Sequence, residues 1–387
     1  GLGSFNRDNL SLINTQNMIF GVGGYETNID EIYSNHQEKL DEKDRVYQIH
    51  GHRNMFGYPT HAKKYSYNLE GGVEHGGNLR TVFIDGNDIH PYSFKNNNFN
   101  PVKKEKIELD MSTISVDKFL DNAREHKYIN VIDNAYDTVS VNFTVRAFTR
   151  SKWDDITITA RGLFINTTHN EIIARGYEKF FNYGEKTNSS SRYMRERIVY
   201  PVNIYTKYNG FLGLISYDKF NDKLRFFTKR FSSDTEYENN IMAPFFEQRA
   251  YDLIGKDKLN KIKEVSKERD CTFVFELVDN KNDPHIVESD TQMILLDMID
   301  NTVQFNKADY KTLTKTAMEI GLEVKMLDYT FNNWTDLFEW IIDVQKNEEI
   351  KTEGYVLEDS NGFMVKFKTL FYNRWKKLRG IVDMIKK

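Results

Sequence analysis

The sequence has little cysteine and no long apolar run. Its single cysteine, Cys271, cannot form a disulfide within the chain, and no Cys/His cluster has the spacing of a zinc site. No segment approaches the ~18 consecutive apolar residues of a membrane-spanning helix, and no basic-then-apolar leader is recognisable. We therefore expect a soluble protein of the cytoplasm, without a structural metal or a disulfide framework.

The sequence also lacks a basic excess. It has 53 Lys and Arg against 57 Asp and Glu, a formal net charge of -4. A protein that contacts phosphates needs concentrated cations, but the average charge says little about one cleft. Arg225 with Lys229 and Arg230, and Lys366 with Lys368, are candidate clusters of this kind.

At 387 residues the chain is long enough for two folded units. Residues 47–88 contain short strand-like runs and paired glycines, which predict a small β-rich N-terminal unit. Residues 90–106 lack periodicity and are predicted to be a linker. The predicted domains are residues 1–100, including the linker, and residues 107–387.

The second unit has the pattern of an α+β domain with antiparallel sheets and flanking helices. Helices are predicted after Ser115, within 236–267, over 334–342 with one apolar face, and over 371–385. Strands are predicted over 139–148, 156–166, 202–218, 224–227, 272–278, 354–357 and 363–367.

One short motif, Lys207-Tyr208-Asn209-Gly210, lies between two apolar, β-favouring runs. A strand, a turn carrying lysine and a returning strand would present an amine from a rigid frame. Lys-x-x-Gly alone occurs often by chance, and a solvated hairpin tip is the alternative interpretation.

Further motifs follow one order along residues 156–372. They are Arg161-Gly162-Leu163-Phe164, Glu178-Lys179-Phe180-Phe181-Asn182, Thr228-Lys229-Arg230, Phe273-Val274-Phe275-Glu276, Glu353-Gly354-Tyr355-Val356 and Val365-Lys366-Phe367-Lys368. With the lysine motif, this series resembles the ATP-dependent RNA ligases of the phage T4 RNA ligase 1 and tRNA ligase type, which are covalent nucleotidyltransferases. The resemblance implies the nucleotidyltransferase fold, which is unrelated to ATP-grasp. It also implies ATP and Mg²⁺ (or Mn²⁺), and RNA with 5′-phosphate and 3′-hydroxyl ends, in RNA repair or tRNA splicing.

In this resemblance Lys207 is the nucleophile that carries AMP. A lysine attacks as a neutral amine, so we expect neighbouring cations and partial burial to lower its pKa. Lys366 and Lys368 stand two residues apart on a predicted strand, so both can reach one phosphate group as catalytic cations. A solvated edge strand is the alternative.

The resemblance assigns the remaining site residues. Glu276 is expected to be catalytic and to contact the ribose or a metal ion, and Glu353 to lie near the metal or the lysine; surface ion pairs are the alternative for both. Positions that serve phosphates, the RNA 5′-phosphate and the adenine pocket are Arg161, Lys179, Phe181, Gly210, Lys229 and Tyr372. Stacking of Phe181 on adenine has core packing as its alternative, and Tyr372 could instead cover the core at a helix start.

The first hundred residues contain His50-Gly51-His52-Arg53, then Gly71-Gly72 and Gly76-Gly77-Asn78-Leu79-Arg80. This series resembles the C-terminal end of a calcineurin-like metallophosphatase, in which His52 would be a metal ligand. The earlier motifs of that family are absent, and one histidine cannot hold a two-metal centre. We expect part of a longer end-healing and end-sealing protein, with phosphatase and kinase modules; a structural remnant is the alternative.

Three other functions use similar residues. A DNA ligase and an mRNA capping enzyme also employ a nucleophilic lysine, and a non-catalytic RNA-binding module could use the same cationic cleft. The elements upstream of Lys207, namely Arg161 and residues 179–182, favour the RNA ligase.

Overall fold

The computed structural model describes residues 27–54, 56–73, 76–98, 111, 113–280 and 290–376. The chain divides into two compact units, residues 1–108 and 109–387. This division does not test the functions predicted for the two units, a phosphatase-like part and an RNA ligase domain. In the part of the chain that the structure describes, no helix combines the length and apolar character needed to cross a membrane.

The first unit is built around a buried carboxylate. Asp30, in helix α1 (Ile29–Gln37), accepts a hydrogen bond from Ser66 Oγ at 2.6 Å, and its Oδ1 lies 2.9 Å from His50 Nε2. Three short strands form a sheet in the order β1-β3-β2, and two longer strands form a separate hairpin. The strands are β1 (Gln48–His50), β2 (His61–Lys63), β3 (Ser66–Asn68), β4 (Asn78–Asp85) and β5 (Asp88–Lys95).

The hairpin corrects the predicted linker. Residues 90–95 belong to β5 and pair with β4. The chain reverses at Gly86, whose positive φ suits a hairpin turn, so an antiparallel ladder forms although the sequence shows no apolar periodicity. Residues 99–106 of the predicted linker lie outside the described residues.

The second unit contains three sheets. One has the order β6-β7-β8-β9, one β13-β12-β14-β15 and one β10-β18-β17-β11-β16; pairing is antiparallel except between β10 and β18. The strands are β6 (Ile129–Asn134), β7 (Thr138–Phe143), β8 (Arg161–Asn166), β9 (Glu171–Arg175), β10 (Phe181–Asn182), β11 (Val202–Lys207), β12 (Phe211–Asp218), β13 (Lys223–Phe227), β14 (Cys271–Val278), β15 (Gln292–Asp300), β16 (Leu327–Phe331), β17 (Gly354–Glu358) and β18 (Met364–Lys368).

Helices cover the sheets. They are α2 (Val116–Glu125), α3 (Val145–Thr149), α4 (Asp155–Thr159), α5 (Ser191–Arg197), α6 (Met242–Leu253), α7 (Lys256–Arg269), α8 (Tyr310–Ile320) and α9 (Trp334–Lys346). In α9 the residues Leu337, Ile341 and Val344 are fully buried and pack with apolar residues of the five-stranded sheet, as the apolar stripe predicted. The predicted α+β class with antiparallel sheets is confirmed.

Two predicted strands are wrong in part. Residues 145–149 are helical because Thr144 caps them by accepting from Ala147 N at 3.0 Å. Residues 155–159 are helical because Asp154 and Thr157 form a capping box. Local caps therefore override the β-favouring composition of these segments. The predicted closing helix is present over residues 370–376, and its remainder lies outside the described residues.

The lysine motif connects two different sheets. Strand β11 belongs to the five-stranded sheet and β12 to the four-stranded sheet led by β13, so they do not pair with each other. The interpretation of Lys207 as the tip of a solvated hairpin is therefore wrong.

Candidate active site

A cavity of about 660 Å³ lies between these two sheets. Strands β11, β17 and β18 line one side, and β12, β14 and β15 line the other. The volume is within the range of about 300–1,000 Å³ typical of small-molecule sites. The sequence-predicted residues on its wall are Arg161, Lys207, Gly210, Lys229, Glu276 and Lys366.

Lys207 ends β11 with its side chain only 23% exposed. Its Nζ donates to Glu353 Oε2 at 2.7 Å and to Tyr208 O at 3.3 Å. Burial would lower the pKa of Lys207, but the carboxylates of Glu276 and Glu353 outweigh it and raise this pKa above its ordinary value. The prediction of a lowered pKa is therefore wrong, because the attraction of these two carboxylates exceeds the effect of burial.

Gly210 brings the chain against β14. A Cβ atom at position 210 would lie 2.1 Å from Leu277 O, so only glycine fits this approach. The Gly210 N–H donates to Glu276 Oε1 at 3.1 Å, which holds that carboxylate close to the Lys207 motif. Burial raises the pKa of Glu276, with the positive charge of Lys207 opposing it. Glu276 is therefore a partly buried acceptor on the cavity wall rather than half of a surface ion pair.

Glu353 connects Lys207 with Lys368 of strand β18. Only 4% of Glu353 is exposed, and its second oxygen, Oε1, lies 3.5 Å from Lys368 Nζ. Lys368 in turn lies 4.5 Å from the ring centre of Tyr372, which is buried at the start of the closing helix. Lys207, Glu353, Lys368 and Tyr372 form one contiguous group, as the motif series predicted.

Three cations face the cavity near Lys207. Arg161 donates from Nη1 to Tyr177 O at 3.3 Å, and its burial lowers its pKa. The charge of Arg161 lowers the pKa of Lys229 to about 8. Burial, with the charges of Arg161 and Lys179, lowers the pKa of Lys366 to about 6. Clustered basic residues with lowered pKa values are typical of a site that binds an anion.

Lys366 and Lys368 lie on an interior strand, since β18 pairs with β10 on one side and β17 on the other. The alternating burial of β18 confirms that the two lysines share a face. The alternative of a solvated edge strand is wrong.

The Phe180-Phe181 pair is oriented opposite to the prediction. Phe180 lines the cavity, with its ring centre 4.3 Å from Lys366 Nζ. Phe181 is only 6% exposed and packs edge-on against Trp153 at 5.5 Å. Lys179 Nζ lies 3.9 Å from the Phe181 ring centre. Phe181 starts a strand and turns inward, so Phe180 is the ring available to a ligand in the cavity.

Sequence analysis missed a network of charged residues that lines the cavity. Buried Asp297 accepts from Lys325 Nζ at 2.8 Å and from the Tyr177 hydroxyl. Glu358 pairs with Lys307 at 2.7 Å, and Lys307 also reaches Asp297 at 3.2 Å. An aspartate inside the apolar run Met293–Met298 was the signal that could have revealed this network.

Asn240 was also missed. Its Nδ2 donates to Ser232 O and Thr235 O, both at 2.8 Å, which fixes the orientation of the amide. Its Oδ1 is buried and has no hydrogen-bond partner in the part of the chain that the structure describes, and Asn240 lines the cavity. A loop asparagine has no sequence signal that separates this role from a turn residue.

The carboxylates of Glu276 and Glu353 are the donors suited to a hard divalent cation near Lys207. Throughout the described residues, no group of three or more His, Cys, Asp or Glu side chains could hold a metal ion. A cation at this site would therefore share its coordination with phosphate oxygens and water. His52 belongs to the first unit, where its backbone N–H donates to Glu70 Oε2 at 3.0 Å, and its metal role stays a prediction.

A family model described as RNA ligase matches residues 159–372, which is more than half of the 387-residue chain. The chain belongs to the RNA ligase family. The matched region of this RNA ligase contains every predicted site residue of the second unit, from Arg161 to Tyr372. No curated protein sequence matches the chain.

Solved structures with a similar shape include other ligases. An archaeal ATP-dependent RNA ligase is 14% identical with a TM-score of 0.46, over 65% of this RNA ligase and 61% of that chain. An Aquifex aeolicus protein named as an ATP-dependent DNA ligase is 16% identical with a TM-score of 0.43, over 66% and 63%. A Naegleria gruberi RNA ligase solved with ATP and Mn is 12% identical with a TM-score of 0.38, over 50% and 56%. The RNA ligase described here thus spans less than two thirds of each of these chains.

Proposed function

We propose that this chain is an ATP-dependent RNA ligase whose nucleophile is Lys207. The observation that carries the proposal is the position of Lys207 on the wall of a nucleotide-sized cavity that Arg161, Lys229 and Lys366 also line. A buried amine among fixed cations suits attack on a phosphorus atom, because nucleotidyl transfer depends on positioning and on stabilising negative charge.

The proposed reaction has three steps. The Lys207 amine attacks the α-phosphorus of ATP, so that a P–N bond forms, the bond to pyrophosphate breaks and the ammonium proton leaves. The AMP then passes to the 5′-phosphate of an RNA, where a new P–O–P bond replaces the P–N bond. The 3′-hydroxyl of a second RNA end attacks that 5′-phosphate and releases AMP, which leaves a phosphodiester.

Each residue of the site has a role in this scheme. The triphosphate fits against Arg161, Lys229 and Lys366, and its negative charge would raise the depressed pKa of Lys366. Phe180 offers a ring face to the base. Glu353 holds the lysine in place through its 2.7 Å contact, and Lys368 orients that carboxylate from the other side.

A divalent cation, Mg²⁺ or Mn²⁺, fits beside Glu276 and Glu353 and would offset the charge of the phosphates. It would also weaken the attraction between these carboxylates and Lys207, which favours the neutral amine. Arg161 and Lys229 contribute to the same end, because their positive charges disfavour a third charge on Lys207.

Incubation with α-labelled ATP and Mg²⁺ or Mn²⁺ tests the first step. We expect an acid-labile label on the protein, absent from Lys207→Ala and retained by Lys315→Ala, an exposed lysine on α8. No label on the wild-type chain would contradict the proposal and favour an RNA-binding module.

Single strands with a 5′-phosphate test the later steps. RNA should give an adenylated intermediate and then a circular product, whereas DNA of the same sequence should react poorly. Equal or better joining of DNA would indicate a DNA ligase. Transfer of the nucleotide to a 5′-diphosphate end, with GTP preferred over ATP, would indicate a capping enzyme.

A further inference from the structure

Residues 144–153 present an aromatic ring and several cations on the surface of the second unit. Phe148 is 54% exposed and Val145 is 68% exposed. Arg146, Arg150 and Lys152 are also exposed, and the segment contains no acidic residue. In a chain with more acidic than basic residues, this local composition is a departure from the average. Aromatic side chains interleaved with cations are typical of single-stranded nucleic-acid sites.

The segment is held firmly although its side chains are exposed. Thr144 N donates to Tyr128 O at 2.8 Å, and Lys152 N donates to Ala147 O at 2.9 Å. Ala147 is fully buried and anchors α3 to the unit. The Trp153 ring lies 5.0 Å from Phe143 and 6.4 Å from Phe148, edge-on in both pairs. Phe148 therefore belongs to a well-anchored segment, so stacking of a ligand on its ring costs the protein little conformational entropy.

Lys179 connects this segment with the catalytic cavity. Its Nζ lies 5.2 Å from the ring centre of Trp153 and 6.0 Å from that of Phe148. Lys179 Nζ also donates to Phe180 O at 3.1 Å, and the Phe180 ring centre, on the cavity wall, lies 4.3 Å from Lys366 Nζ. Opposing these cations, Glu185 lies 3.7 Å from Lys179 Nζ. Basic side chains therefore lead from residues 144–153 through Lys179 to Lys366 at the cavity.

We propose that residues 144–153, together with Lys179, bind the first nucleotides of the 5′-phosphorylated RNA strand. One base stacks on Phe148, and backbone phosphates lie against Arg146, Arg150 and Lys152. The inference rests on the proposed function, and it specifies the substrate as single-stranded at its 5′ end, because only an unpaired base offers a free face to the ring.

Binding of a 5′-phosphorylated RNA 10-mer, measured by fluorescence anisotropy, tests the proposal. Phe148→Ala should weaken binding about 10- to 100-fold, and Phe148→Trp should restore it. Arg150→Gln should lower the salt dependence of log K by about 0.7, the contribution of one phosphate contact on a single strand. The matched control is Tyr251→Ala, another exposed ring on α6, which should bind as the wild type does.

A duplex RNA with a flush, phosphorylated end provides the second arm, and it should lose little affinity in Phe148→Ala. Formation of lysyl-AMP without RNA serves as the check on folding for every variant. Unchanged RNA affinity in a Phe148→Ala variant that still forms lysyl-AMP would overturn this inference alone. Absence of lysyl-AMP from the wild-type chain would instead overturn the proposed function.

Discussion

The Nζ atom of Lys207 lies 2.7 Å from Oε2 of Glu353, closer than any other contact of this amine given by the structure. Glu353 is almost fully buried, so the attraction acts with little screening by water. Glu353 therefore favours the protonated form of Lys207, in line with the raised pKa of this amine. In the proposed reaction, a divalent cation bound with ATP would favour loss of that proton.

Replacing Glu353 by glutamine should lower the pKa of Lys207. An opposite charge at this distance typically shifts a pKa by about 1–3 units, so the loss of one of two carboxylates should move it by at least about 1 unit. Competitive amine labelling across pH, read by mass spectrometry without nucleotide, measures the titration directly. The control is Glu348→Gln, an exposed carboxylate paired with Arg374. Identical titration curves in Glu353→Gln and wild type would refute the assignment.

Replacing Lys366 by methionine should stabilise the protein while abolishing lysyl-AMP formation. The folded-state pKa of Lys366 is about 6, against 10.5 for an ordinary lysine. Between these values the unfolded chain holds a proton that the folded chain has released, so this residue destabilises the fold, and less so as pH rises. We expect a gain of about 1–2 kcal/mol in unfolding free energy near neutral pH.

The pH dependence separates this cause from better packing. Because the penalty shrinks towards pH 10.5, the stability gap between Lys366→Met and wild type should narrow from pH 6.5 to pH 9 in urea titrations. Lys315→Met, a change at a side chain that is 76% exposed, should show no such trend. A gap that stays constant with pH would indicate that charge is not responsible.

The two adjacent phenylalanines should respond differently to alanine. Phe180→Ala should weaken binding of a non-cleavable ATP analogue about 10-fold, with little change in melting temperature, because its ring faces the cavity. Phe181→Ala should lose about 3–5 kcal/mol of stability, because its ring is buried against Trp153. Calorimetry and thermal melts measure both. The reverse pattern would restore the original assignment of Phe181 to the base.

Gly210→Ala should impair catalysis severely. The added Cβ would meet Leu277 O at 2.1 Å, so the chain after Lys207 must shift and Glu276 loses its backbone donor. A displacement of this size beside a reacting group can cost about 100-fold in rate. Single-turnover lysyl-AMP formation measures it. Gly51→Ala, where an added Cβ meets nothing within 4 Å, is the matched control and should react normally.

The motif series predicted most of the site because it records chemistry that few other residues can perform. Lys207, Glu276 and Lys366 must have their particular side chains, and order along the chain was enough to bring them together. The direction of the Lys207 pKa shift could not be predicted in the same way. It depends on whether the nearest charge is Glu353 or a cation, and that is decided by distances of a few ångströms.

The fold was predictable where hydrophobic periodicity is strong. It was not predictable where a helix N-cap determines the local structure. The apolar stripe of α9 and the runs of β11, β12 and β14 are each confirmed. Strand β15 was missed, because Asp297 interrupts its apolar run and is stabilised by Tyr177, Lys307 and Lys325 from elsewhere in the chain. Such long-range partners leave no local pattern.

Residues 208–210 are all that separates a strand of one sheet from a strand of another. A nucleotide bonded to Lys207 would occupy the cavity between these sheets, joined covalently to one of them and in non-bonded contact with the other. The adenylated and free forms would then differ in how firmly the two sheets are held together as well as in chemistry.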